Sequence, residues 1–157
     1  MKVKQQSIFA LLFLLIAACT PAPRPLNVGE DQCTHCLMTV SDARYGAEIV
    51  LSTGKVMAFD AVECLASYLL DNDVAAHSIW VVDYAHPGML VPAQNAAYVH
   101  TEALHSPMGM NLTAFTAGEE NAVAGNWMDW EEMLLFVEQQ GAHTHQRTDA
   151  GNGHMNH

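Results

Sequence analysis

Basic residues are scarce in this chain. Six Lys and Arg stand against 17 Asp and Glu, a formal net charge of −11 with His neutral. Phosphate backbones are held by Lys and Arg, so this balance argues against nucleic acid as a partner. A summed field of that sign instead attracts cations. Cysteine is also sparse, with four in 157 residues, at positions 19, 33, 36 and 64. With Cys19 set apart, the other three leave at least one thiol outside any intramolecular disulfide, and a disulfide-built scaffold is excluded. Beyond the N-terminus no apolar run approaches the length of a membrane span.

The N-terminus is the exception. MKVKQQSIFALLFLLIAAC opens with Lys2 and Lys4, runs apolar from Ile8 to Ile16 and ends in small residues before Cys19. The run is short for a span, and its flanks are those of a secretory signal. Ile16-Ala17-Ala18-Cys19 resembles the bacterial lipobox, in which the Cys is acylated and becomes residue one; the plainer alternative is an ordinary signal cut near Ala18. The expectation is a lipoprotein signal peptide over residues 1–18, with lipidation at Cys19. The mature chain would then sit in the periplasm, held to a lipid membrane. Thr20, where an Asp would signal retention at the inner membrane, favours the outer one. Removing Lys2 and Lys4 with the signal takes the formal charge from −11 to −13.

The rest divides by pattern. TPAPRPLNVGEDQ makes residues 19–32 a Pro-rich, polar tether. AEIVLS and VMAFD flank Thr53-Gly54-Lys55 and predict a β-hairpin. Asp60 and Glu63 have the spacing of a capping box, and Val62, Leu65, Ala66 and Leu69 form a helical stripe. SIWVVDY predicts a buried strand, so residues 33–85 form a first ββαβ unit. AFTAGEENA (114–122) echoes AFDAVECLA (58–66), each leaving a strand to enter a helix. With AAYVH and NLTAF as strands and a last helix from Asp129, boxed by Glu132, residues 86–140 form a second, related unit. The fold class is therefore α+β: two small ββαβ-like units packed as one compact body, since neither half has enough core alone. Residues 141–157 lack periodicity and form a His/Met-rich tail.

CTHCLM (33–38) carries the chemistry. Cys33 and Cys36 have thioredoxin-type spacing, but Glu30 and Asp31 precede them and would raise a thiol pKa, where a redox pair needs it lowered. A Cys-x-x-Cys is also half of a zinc site, though no second half follows, and Cys64, amid apolar helix neighbours, reads as a small core residue. A thiol oxidoreductase and a zinc-stabilised interaction module thus remain as alternatives. Thiolate with thioether selects soft Cu(I) more readily. Met38 follows Cys36 closely enough to share one ion, and HSPMGM places Met108 and Met110 in a Pro/Gly loop. Met57, Met128 and Met133 fall at core positions; Met108 has the alternative of plugging a gap between the units. His35 and His105 adjoin the two loops as further candidate ligands. In the tail, His143, His145, His154 and His157, with Met155, form a weak cluster suited to Cu(II).

These segments together resemble the NosL family of copper-binding lipoproteins associated with nitrous oxide reductase. The resemblance runs over roughly residues 30–140. It rests on Cys-x-x-Cys-x-Met, a Gly-centred hairpin ending in Phe-Asp before a Cys-containing helix, and Ser-Pro-Met-Gly. It implies two related α+β units and a periplasmic Cu(I) carrier, not an enzyme, whose acceptor is a cuproprotein, nitrous oxide reductase foremost. Position by position, Cys36 and Met38 match the family's Cys-x-Met, Cys33 its first Cys and Met108 the Met of Ser-Pro-Met-Gly. The chain departs from the pattern at Leu37, where the family commonly has Gly.

Overall fold

Ala47–Leu51 (β1) and Val56–Phe59 (β2) form the expected antiparallel hairpin. Its link turns at Gly54, φ 83°, a left-handed conformation that costs a residue without Cβ little. Val62–Asp71 (α1) follows and buries Val62, Leu65 and Ala66. Ala76–Val82 (β3) returns antiparallel along the other edge of β1. Leu90–Pro92 (β4), from beyond the expected boundary at residue 85, completes a sheet of order β2-β1-β3-β4. The structure, a computed structural model, describes residues 20–151, with side chains as far as residue 141. The signal segment, Cys19, His154, Met155 and His157 lie outside the described residues, as do the side chains of His143 and His145.

After a 3₁₀ turn at Ala93–Asn95, Ala96–His100 (β5), Leu112–Thr116 (β6) and Asn126–Met128 (β7) build a second sheet of order β6-β5-β7. Its opening strand is central and pairs antiparallel on both sides, as β1 does with β2 and β3. The helix, however, has moved. In the first unit it lies between the second and third strands; in the second, Trp130–Gly151 (α2) follows the third strand. The expectation that residues 114–122 enter a helix is therefore corrected. Gly118 takes φ 100° and donates its N–H to Glu120 Oε1 at 3.1 Å, turning the chain. Glu119, Glu120 and Asn121 offer no apolar stripe to bury. Helix α2 also continues to Gly151, into the stretch that the sequence reading leaves without periodic structure.

One core serves both units. Phe59, Leu65, Tyr98, Leu112 and Met133 belong to a single buried cluster, and Met57 and Met128 join it as expected. The Pro-rich segment is laid on the first sheet from Arg24 onward rather than standing off it. Arg24 pairs with Asp31 at 2.7 Å and donates its backbone N–H to buried Glu48 at 3.1 Å. Leu26 fills the space a Cβ at Gly46 would need. Among the described residues no helix is long and apolar enough to cross a membrane.

The two helix starts with capping-box spacing diverge. At α2, Glu132 N–H donates to Asp129 Oδ1 at 2.9 Å and Asp129 N–H to Glu132 Oε2 at 3.1 Å, a reciprocal box. At α1 the box is absent: the helix begins after Ala61, with no side-chain cap. Asp60 and Glu63 are buried, 0% and 3% exposed, and their carboxyls go to partners from loops. Ser41 donates its N–H to Asp60 Oδ1 at 2.6 Å, and the Ser106 hydroxyl donates to Glu63 Oε1.

Candidate metal centre

Residues 31–40 double back on themselves. Val40 N–H donates to the Asp31 carbonyl at 2.8 Å, Gln32 and Thr39 form a bridge, and Cys33 N–H donates to the Met38 carbonyl at 2.8 Å. CTHCLM is the tip of this excursion, and Thr34 N–H pins it to the Ala58 carbonyl at the end of β2. Leu37 closes the tip with its N–H on the Cys33 carbonyl at 3.0 Å and φ 63°. That is left-handed backbone, free for Gly and costly for Leu. The departure at Leu37 thus leaves the chain a Gly-like turn, with the side chain 66% exposed.

The turn sends Cys33 fully into the protein and leaves Cys36 half-buried. Cys64, on the first turn of α1, meets them there. The three sulfurs lie within 4.8 Å of one another. The Cys64 thiol beside Cys33 lowers the Cys33 pKa, and the N–H groups of Cys36, Asp60 and His35 act in the same direction against the cost of burial. The neighbouring Cys33, then burial, pushes Cys64 up. Burial raises Cys36 as well, against the Met38 N–H. Of the three, Cys33 is the thiol whose surroundings favour the ionised form. The expectation that Glu30 and Asp31 raise this pKa is corrected: Asp31 is neutralised by Arg24, and the amides and thiol facing Cys33 decide its charge.

Beside Cys64 opens a small cavity of about 110 Å³, lined by His35, Glu63, Cys64, Ser67, Met108 and Met110. Its thioethers come from the second unit. Gly109 N–H closes a turn on the Ser106 carbonyl at 3.0 Å, with Pro107 and Met108 at its centre and Gly109 at φ 81°. Of the candidate ligands, Cys33 and Cys36 come together, while Met108, Met110 and His35 line the adjoining cavity. Met38, 55% exposed, lies on the open side of the cluster, with its backbone N–H beside half-buried Cys36. His105 is exposed and lines no part of this cavity. The sequence reading assigned Cys64 to the core rather than to the sulfur cluster because its apolar neighbours mark a core position. It is one, at 1% exposed, but a thiol on the first helical turn after Phe-Asp also faces the end of the preceding strand.

A second group, Asp83, His86 and Glu119, also brings its ligand atoms within 4.8 Å. Asp83 is already engaged by Thr116 Oγ1 at 2.7 Å, Ala85 N–H at 3.0 Å and His86 Nδ1 at 3.0 Å, and links the two sheets.

The NosL family model matches residues 25–129. The crystal structure of the copper chaperone NosL from Shewanella denitrificans has a similar fold, with a TM-score of 0.61 at 18% identity, over 71% of this chain and 95% of that one. Among curated proteins none matches.

Proposed function

The chain belongs to the NosL family, and from that membership and its sulfur cluster we propose that it is a Cu(I) chaperone, anchored through acylated Cys19 in the periplasm, that hands its ion to a cuproprotein, nitrous oxide reductase foremost. The observation that carries this reading is the meeting of three cysteine sulfurs within 4.8 Å beside a cavity lined by two thioethers. Thiolates alone would also take Zn²⁺; it is the two neutral, polarisable thioethers that tip such a donor set toward Cu(I) and away from hard Ca²⁺. The Shewanella denitrificans protein of the same fold is a copper chaperone. Cys33 is the principal ligand, the thiol whose surroundings most favour ionisation; thiols lose their protons as the ion enters, so binding releases protons. Half-buried Cys36 is the ligand an acceptor reaches first, and Met108 and Met110 are the neutral ligands easiest to exchange. The acidic surface retains cations nearby.

The lowered Cys33 pKa also suits a thiol oxidoreductase. Yet Cys33 is 0% exposed and cannot reach a protein disulfide, while the accessible thiol, Cys36, is the one whose pKa is raised. Competition of the reduced protein with a Cu(I) chelator in excess Zn²⁺ separates the readings, run alongside a disulfide-reduction assay. Retention of one Cu(I) without reductase turnover is expected. Displacement by Zn²⁺, or turnover, would overturn the proposal.

A further inference from the structure

Glu63 is an unusual choice for its place. A carboxyl at the start of a helix is ordinarily solvated and caps the N-terminus, as Glu132 does. Glu63 is buried instead, makes no cap, and lines the cavity beside Cys64. Its Oε1 accepts the Ser106 hydroxyl and its Oε2 is buried with no hydrogen bond, while the backbone N–H groups of Glu63 and of Met110, on the facing loop, also favour its charge. Burying a carboxyl in this way is costly, and a purely structural contact between α1 and the loop needs no charge-bearing group. Ser106 works in two directions, since its Oγ also accepts the Asn111 N–H at 2.9 Å. Asn111 holds φ 55° and accepts Thr101 N–H at 3.2 Å through its carbonyl. Ser106 therefore ties both ends of the segment carrying Met108 and Met110 to the helix that carries Cys64. Asp60 does the same for the other loop, gripping Ser41 just beyond the Cys-x-x-Cys excursion.

We propose that Glu63 and Ser106 are positioning residues, a clamp that holds the Met108 and Met110 thioethers of the second unit over the thiols of the first. The inference rests on the Cu(I) reading above. A metal ligand supported by a neighbouring hydrogen bond depends on it for orientation, and removing such support costs about tenfold to a hundredfold in affinity. The clamp acts only through the thioethers, so its effect vanishes where they are absent. A contact that merely stabilises the fold has the same effect whether or not the thioethers are there.

The test is a thermodynamic cycle on the full chain, read by competition with a Cu(I) chelator. Ser106→Ala is expected to weaken Cu(I) binding by about ten- to a hundredfold, and Ser106→Thr, which restores the hydroxyl, to recover most of it. In a Met108→Leu/Met110→Leu background the same Ser106→Ala change is expected to do nothing further. Glu63→Ala should follow Ser106→Ala; if it fails to fold, the Ser106 pair carries the test. An equal loss in both backgrounds, no loss in either, or a Met108→Leu/Met110→Leu variant that binds as wild type would each overturn the clamp. Wild-type protein that holds no Cu(I) would instead overturn the chaperone reading on which it rests.

Discussion

Two helices in this protein begin with Asp and Glu at the same spacing, and they use those residues differently. At α2 the carboxylates face solvent and cap the helix reciprocally. At α1 both are buried and grip serines from two sulfur-bearing loops. The lesson is one of local priorities. A helix start at the surface is free to satisfy its own amides. One wedged between two loops lends its polar groups to whatever must be held there, and leaves capping undone. The same contrast separates the units. They share a central first strand with antiparallel partners on both sides, but only the first places its helix after the hairpin, bringing Cys64 back onto Cys33.

Metal affinity should therefore respond to changes at the start of α1 and ignore those at the start of α2. Cys33→Ser has the largest expected effect. Losing the buried sulfur whose ionised form the neighbouring Cys36, Asp60 and His35 amides favour should weaken Cu(I) binding by roughly a hundredfold, about 2.8 kcal/mol, in chelator competition. Next comes Asp60→Ala, which strands the Ser41 N–H and hydroxyl. It should cost about 2–3 kcal/mol in denaturant unfolding and weaken Cu(I) binding as well.

Glu48→Gln asks whether a buried carboxyl affects copper without a sulfur loop in its grip. Burial raises Glu48 from 4.5 to about 6. Below pH 4.5 the group is protonated in both folded and unfolded chains. As pH rises through about 6 the folded state must accept a buried charge, and stability falls. Glu48→Gln should abolish that fall and stabilise the protein at neutral pH by about 2 kcal/mol, with Cu(I) affinity unchanged. Denaturation at several pH values checks this. Asp129→Ala removes a true cap and should cost about 1 kcal/mol, again without touching copper. The smallest effect belongs to Leu37→Gly. It relieves a left-handed residue whose side chain is exposed and should raise stability by no more than about 1 kcal/mol, seen as a small increase in the denaturation midpoint.

Strand patterning made much of this legible from the sequence. The hairpin around Gly54, the α1 stripe and the capping box at Asp129 depend on neighbours in the chain, and residue spacing reports them directly. Cys33, Cys36 and the Met108–Met110 loop were visible as candidate soft ligands outside apolar runs. What escaped depended on contacts across the fold. Cys64 has the neighbours of a core residue, and only the path of α1 turns its sulfur toward Cys33. Asp60 and Glu63 match a capping box in spacing, and only the approach of Ser41 and Ser106 diverts them. The left-handed turn at Leu37, between Cys36 and Met38, was equally invisible, because residue spacing does not report backbone handedness.

X-ray absorption at the copper edge of the reduced, Cu(I)-loaded protein tests the central claim most directly, with and without residues 141–157. Copper surrounded by sulfur is expected, in a spectrum unchanged by removing the tail. A nitrogen-dominated surrounding that disappears with the tail would put the ion on its histidines and contradict the sulfur centre.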